Sequence, residues 1–173
     1  RVKLWPDLAD LLAPHPVLMR GVGDAIVEDI TANYSRLVGF YQPDTLVLLP
    51  SNSEFHIRDN KSAEGLVAAI KALAKLDGSY EITQRFYIFA PLKTPLHPRD
   101  DTEIDRATEL LRAWADRDPR LIIIDANPLL AGADGKPRPE FYRSDGVNLN
   151  EHGYLRLSLL LQQQLERSIS NTQ

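Results

Sequence analysis

Apolar residues fall along this chain in two alternating rhythms. Thr45-Leu46-Val47-Leu48-Leu49, Phe86-Tyr87-Ile88-Phe89 and Leu121-Ile122-Ile123-Ile124 are short runs without polar alternation. They predict strands near 45–49, 85–90 and 121–125, buried on both faces as in a parallel sheet. Between them apolar residues recur at helical spacing. One such series is Ile26, Val27, Ile30, Tyr34, Leu37 and Val38, and a second is Leu66, Val67, Ile70, Leu73 and Ala74. A third is Ile104, Ala107, Leu110, Leu111 and Trp114, and a last one is Leu157, Leu160, Leu161 and Leu165. Pro6 is placed to open a short helix through Leu12, stopped by Pro14 and Pro16. Val17-Leu18-Met19-Arg20 then predicts one more strand, over 17–20, with glycines at 21 and 23 marking the turn after it.

Strands that alternate with helices of this length predict an α/β protein with a parallel sheet and helices on both faces. No repeat, linker or low-complexity tract interrupts the pattern, so one domain over residues 1–173 is the expectation. In such sheets ligands collect where loops leave the carboxyl ends of the strands. The loops to inspect are therefore 21–24, 50–54, 91–98 and 127–148.

Composition narrows the chemistry. A formal charge of −4 argues against nucleic acid as the partner, because phosphate binding wants a basic face. The absence of cysteine excludes disulfides, thiol nucleophiles and thiolate metal sites. Neither a metal-ligand spacing nor a phosphate-binding glycine loop is present, so no metal and no cofactor is expected. No apolar run approaches the ~20 residues that span a bilayer, and the given chain carries no signal peptide. Compartment and oligomeric state are not assigned by these features.

Candidate chemistry concentrates in Asp145-Gly146-Val147-Asn148-Leu149-Asn150-Glu151-His152-Gly153-Tyr154. A carboxylate, a short turn and a polar residue three positions on lead directly into the last helical series. Read locally, Ser144-Asp145-Gly146 is turn chemistry and Asn150 is a helix N-cap. His15, His56 and His97 lie beside prolines or in loops and read as solvated. Asp100-Asp101 reads as the start of a helix, and Trp5 and Trp114 as core residues.

Taken together, these loops resemble the conserved blocks of the SGNH (GDSL-type) hydrolases, a superfamily of esterases, lipases and carbohydrate deacetylases. Leu4-Trp5 resembles the segment after that family's nucleophile block, and Arg20-Gly21-Val22-Gly23 its second block. Residues 44–54 resemble the third block and 145–154 the fifth, while 132–141 is typical of one bacterial branch. The resemblance implies a three-layer α/β/α doubly wound, flavodoxin-like sheet. In that family a Ser attacks the ester carbonyl, a His takes its proton, and an Asp orients the His. A Gly amide, an Asn side chain and the Ser amide hold the developing oxyanion.

Carried over position by position, the resemblance implies a changed site. The nucleophile block and the first strand would fall upstream of Arg1. The second-block Gly falls on Asp24, a carboxylate where the family offers an amide to an anion. The third-block Asn falls on Ser53 and its preceding Gly on Ser51; a slip of one residue would make Asn52 the donor instead. The triad Asp is retained as Asp145, while the triad His falls on Asn148. An amide does not titrate near neutral pH and cannot act as general base. The nearest imidazole is His152, which an i, i+4 relation would put on the same helical face as Asn148.

Two functional readings follow. In one, the domain has lost the Ser–His–Asp mechanism and serves as a ligand-binding or interaction module for a small-molecule or carbohydrate ester. In the other, it is an active serine ester hydrolase or acyl transferase with its nucleophile upstream and an altered base.

Overall fold

The structure is a computed structural model and describes residues 5–21, 24–51, 53–56 and 60–171. Along the chain run α1 (Leu8–Leu11), α2 (Val27–Ala32), α3 (Tyr34–Leu37), β1 (Thr45–Leu48), α4 (Ser53–His56) and α5 (Ala63–Ser79). There follow β2 (Arg85–Phe89), α6 (Asp101–Ala115), β3 (Leu121–Ile124), α7 (Asn127–Leu130) and α8 (Glu151–Ser170). Single 3-10 turns stand at Gly39–Tyr41, Pro98–Asp100 and Pro139–Phe141. The architecture is α/β, with three parallel strands and flanking helices. The chain divides into two compact units. One gathers Arg1–Gly21, Lys93–Pro98 and Ala126–Gln173, and the other Val22–Leu92 and Arg99–Asp125.

The sheet lies in the second unit, in the order β1-β2-β3. Leu46 pairs with Phe86 and Leu48 with Ile88; Phe86 in turn pairs with Leu121 and Ile88 with Ile123. Phe86 and Ile88 point to one face and join Leu66, Ile70 and Leu73 of α5 and Ile104 and Leu111 of α6 in the main core. Tyr87 and Phe89 point to the other face and are equally buried, which is why β2 shows no polar alternation. Ser62 caps α5, its hydroxyl accepting from Gly65 N at 3.1 Å.

A buried ionic cluster holds the end of α5. Asp77 accepts hydrogen bonds from the Tyr34 hydroxyl, from Thr83 Oγ1 at 2.8 Å, and from the Arg120 guanidinium. Arg120 also donates to the carbonyl of Ala74 at 2.8 Å. A carboxylate in the last turn of a helix opposes the helix dipole, and Arg120 supplies the compensating charge.

In the first unit, α8 packs against α1, α7 and the Pro139–Phe141 turn. Tyr154, Leu157 and Leu161 form its buried stripe. Trp5 is core, as expected: its ring stacks on Tyr154 and its Nε1 donates to Ser158 Oγ at 2.7 Å.

Two expectations are corrected. No strand forms over 17–20, and Leu18 and Met19 are 55% and 39% exposed. Strand-forming residues make a strand only where a neighbour completes the ladder. The helical series 26–38 is also not one helix. Asn33 breaks it, its side-chain amide donating back to the Asp29 carbonyl at 2.9 Å, and α3 restarts directly after.

Candidate active site

The loop leading into α8 is built by an antiparallel bridge between Tyr142 and Leu149. Arg143 N donates to the Asn148 carbonyl at 2.7 Å, and Gly146 N to the Arg143 carbonyl at 2.9 Å. Gly146 is required at its position: φ is +66°, and Leu96 N donates to its carbonyl at 3.1 Å. Inside this turn Asp145 Oδ1 accepts from Val147 N and Asn148 N, each at 2.9 Å. Its other oxygen, Oδ2, accepts from Asn148 Nδ2 at 2.7 Å. Partial burial pushes the Asp145 carboxyl up. The two backbone amides, the Asn148 amide and the Arg143 charge outweigh that and hold it below the usual carboxylate value.

Asn150 is the N-cap of α8, as its place in the sequence predicts. Its Oδ1 accepts from Gly153 N at 3.1 Å, while its Nδ2 donates to the Glu140 carbonyl at 2.7 Å. Gly153 lets the loop lie against the helix, for a Cβ there would stand 2.4 Å from the Phe141 carbonyl oxygen. His152 is exposed and lines a groove of about 670 Å³ with Leu129, Phe141, Leu155, Arg156 and Leu159. Arg156 lies 4.3 Å over the Phe141 ring and donates to the Leu129 carbonyl at 3.1 Å.

In the second unit, the loop after β1 turns into α4. Ser51 Oγ accepts from Ser53 N at 3.1 Å. Glu54 is buried, and its Oε1 accepts from Val27 N, the first residue of α2, at 2.8 Å. Its Oε2 is ion-paired with Lys61, which also meets Glu28. Burial pulls the Lys61 ammonium down, but the two carboxylates outweigh it and raise the group above its ordinary value. His56 is not simply solvated, which corrects the sequence reading: its Nε2 pairs with Asp100 at the start of α6.

No family model and no curated protein matches the sequence. Solved structures do. A GDSL-like lipase from Bacteroides thetaiotaomicron VPI-5482 is similar with a TM-score of 0.79 at 16% identity, over 96% of this chain and 82% of that one. A carbohydrate esterase family 3 from Talaromyces cellulolyticus is similar at 0.71 and 15% identity, over 91% and 78%. An acetylxylan esterase from Geobacillus stearothermophilus, in a catalytic mutant form, is similar at 0.70 and 13%, over 89% and 75%.

The fold is that of the SGNH hydrolases.

On this SGNH fold, the residues singled out from sequence are placed as follows. Asp145 and Asn148 are brought into direct contact. Asn148 lies before the N-cap of α8, so it and His152 are not neighbours on one helix, and His152 lines the apolar groove. Ser51 and Ser53 share one turn. Asp24 is exposed, with φ at +54°. Asn52 lies outside the described residues, as do Val22 and Gly23 of the segment compared with the second block and Leu4 of the segment compared with the stretch after the nucleophile block. Sequence reasoning missed Glu54 and Asp100. Val27, which donates to Glu54, and His56, which pairs with Asp100, stand 27 and 44 positions away, beyond the reach of local spacing. Among the described residues no cluster of three or more His, Cys, Asp or Glu side chains is placed to hold a metal. No helix among them is long and apolar enough to cross a membrane.

Proposed function

We propose that this SGNH-fold chain binds an acyl or carbohydrate ester without running the Ser–His–Asp reaction efficiently. One observation carries the reading: the group hydrogen-bonded to Asp145 is the side-chain amide of Asn148. In a working triad the partner of that carboxylate is an imidazole that accepts the nucleophile's proton and returns it to the leaving group. An amide can accept a hydrogen bond there but cannot accept the proton, and the loss of general-base help lowers the rate by roughly 10²–10⁴. Asp24 and Ser53, in place of the oxyanion donors Gly and Asn, would cost a further ~10²–10³. These factors act as a unit and need not multiply. The substrate class comes from the neighbours, which include a lipase, a carbohydrate esterase and an acetylxylan esterase.

The test is hydrolysis of short-chain p-nitrophenyl esters by the intact chain, Asp145→Ala and His152→Ala. No turnover that depends on either residue is expected. Activity in the unmodified chain that disappears in His152→Ala would favour the second reading, an active ester hydrolase or acyl transferase with a relocated base. Asn148→His, combined with Asp24→Gly and Ser53→Asn in a chain extended upstream of Arg1 to include the nucleophile block, is expected to move the site towards turnover.

A further inference from the structure

The outer face of α8 carries apolar residues that the core does not use. Tyr154, Leu157 and Leu161 make the stripe that is buried. Leu155 and Leu159, one turn apart, lie off that stripe and are 48% and 49% exposed, and Leu129 of α7 is 39% exposed. Single exposed leucines are ordinary, but several lining one depression mark a binding surface. These three, with the buried ring of Phe141, line the groove of about 670 Å³ that also holds His152, Arg156 and Glu140. Small-molecule sites have volumes of about 300–1,000 Å³, and this groove falls within that range.

The groove is cationic at one end. The guanidinium carbon of Arg156 lies 4.3 Å from the centre of the Phe141 ring, and Nη1 donates to the Leu129 carbonyl at 3.1 Å. These two contacts hold the cation in place before any ligand arrives and leave most of its N–H groups to donate. Among the described residues no carboxylate is ion-paired with Arg156 or with His152. Glu140, the acidic residue on the groove wall, is already ion-paired with Arg138 at 2.8 Å. His152 stands four residues before Arg156, so the two side chains are neighbours on one helical face. The leucines continue from there towards Gln163, about 16 Å along α8 from His152.

We propose that this groove binds a single-chain amphiphile whose head is a phosphate monoester, with the head on Arg156 and His152 and the chain along Leu155, Leu159 and Leu129. A fixed cation without a carboxylate partner selects an anion, and the apolar strip beside it selects a chain attached to that anion. A carboxylate head would use both of its oxygens on the Arg156 fork, whereas a phosphate keeps a third for His152. Each methylene that the groove covers strengthens binding by up to about fourfold. The formal charge of −4 disfavours face-on contact with an anionic membrane, so the ligand is a single molecule rather than a lipid surface. The groove shares no lining residue with the Asp145–Asn148 turn, and its occupancy does not rest on ester binding there.

The experiment is titration of the ¹⁵N-labelled chain with decyl phosphate below its micelle concentration, followed by NMR and calorimetry. Decanoate, decanol, decyltrimethylammonium and butyl phosphate serve as comparisons. Decyl phosphate is expected to shift the signals of Leu129, Phe141 and residues 152–163, and butyl phosphate to bind more than about tenfold more weakly for want of chain length. Arg156→Gln is expected to weaken decyl phosphate about tenfold or more, the loss of a charge-assisted contact. His152→Ala is expected to remove the preference for decyl phosphate over decanoate, about three- to tenfold in the unmodified chain. Leu159→Glu changes a half-exposed side chain and is expected to abolish binding in a folded protein, which keeps the test decisive should Arg156→Gln loosen Phe141. The proposal is overturned if decyl phosphate does not bind, if decanol, decanoate or decyltrimethylammonium binds as tightly, or if Leu159→Glu binds like the unmodified chain. Groove signals that move on dilution of the chain without ligand would assign the face to a second copy and overturn it as well. The ester assay reports separately, since turnover or its absence leaves decyl phosphate binding at this groove unchanged.

Discussion

Asp77 and Asp145 are each held by three donor groups, yet they do different things for the molecule. Asp77 is fully buried between Tyr34, Thr83 and Arg120, side chains drawn from widely separated stretches of the second unit. Asp145 sits exposed in a turn, and its donors lie two and three residues further on. A buried charge that loses a partner leaves others stranded in a low dielectric, whereas an exposed one exchanges its partners for water. The number of hydrogen bonds is thus a poor guide to weight. Burial decides it, and it assigns Asp77 to the fold and Asp145 to the orientation of Asn148.

The largest expected effect tests that contrast directly. Asp77→Ala strands the Arg120 guanidinium and the Tyr34 hydroxyl and should destabilise the protein by about 3–5 kcal/mol. Asp145→Ala should cost only about 1 kcal/mol, the scale of exposed turn hydrogen bonds. Urea unfolding of both variants measures the gap, and similar losses would break the comparison.

Gly153→Ala comes next. Its new methyl would meet the Phe141 carbonyl at 2.4 Å, and backbone cannot yield as a flexible side chain does. Overpacking of this kind costs about 1–3 kcal/mol. The variant should also loosen the loop that Asn150 caps, seen as faster amide exchange at Leu149 and Asn150. An unchanged thermal midpoint would mean that the loop stands further from α8 than described.

The smallest effects are in pH dependence, and the two clusters differ there as well. Burial and contact with Asp77 raise the Tyr34 phenol above its ordinary value. A raised group contributes stability that is complete below the unfolded value, about 10, and is lost as pH rises towards the folded one. Absorbance titration should therefore find one tyrosine that ionises only on alkaline unfolding, and should lose that feature in Tyr34→Phe. The Asp145 carboxyl is depressed, so its contribution is present above about 3.9 and is lost only as pH falls through the lower folded value. The Asn148 side-chain amide signal should hold its position to that point and then move. Movement already at pH 5–6 would show that another group orients Asn148.

Much of this could be read from local pattern. The runs at 45–48, 86–89 and 121–124 became the three parallel strands, though only β2 is buried on both faces as expected; Val47 of β1 is 38% exposed. The stripes on α5, α6 and α8 became core as their spacing predicts, and Asn150 caps α8 because capping needs only the next three residues. The expectations that failed depended on distant partners. Residues 17–20 have the composition of a strand yet form none, because composition does not supply the neighbouring strand that a ladder requires. His56 looked solvated because Asp100 is 44 positions away, and Asp77 gave no sign of its network because Tyr34 and Arg120 lie 43 positions to either side. At the candidate site the division is sharper still. That residue 148 is an amide, and so no general base, is a property of the chain alone. Which end of that amide faces Asp145 follows only once the turn has closed and set carboxylate against side chain.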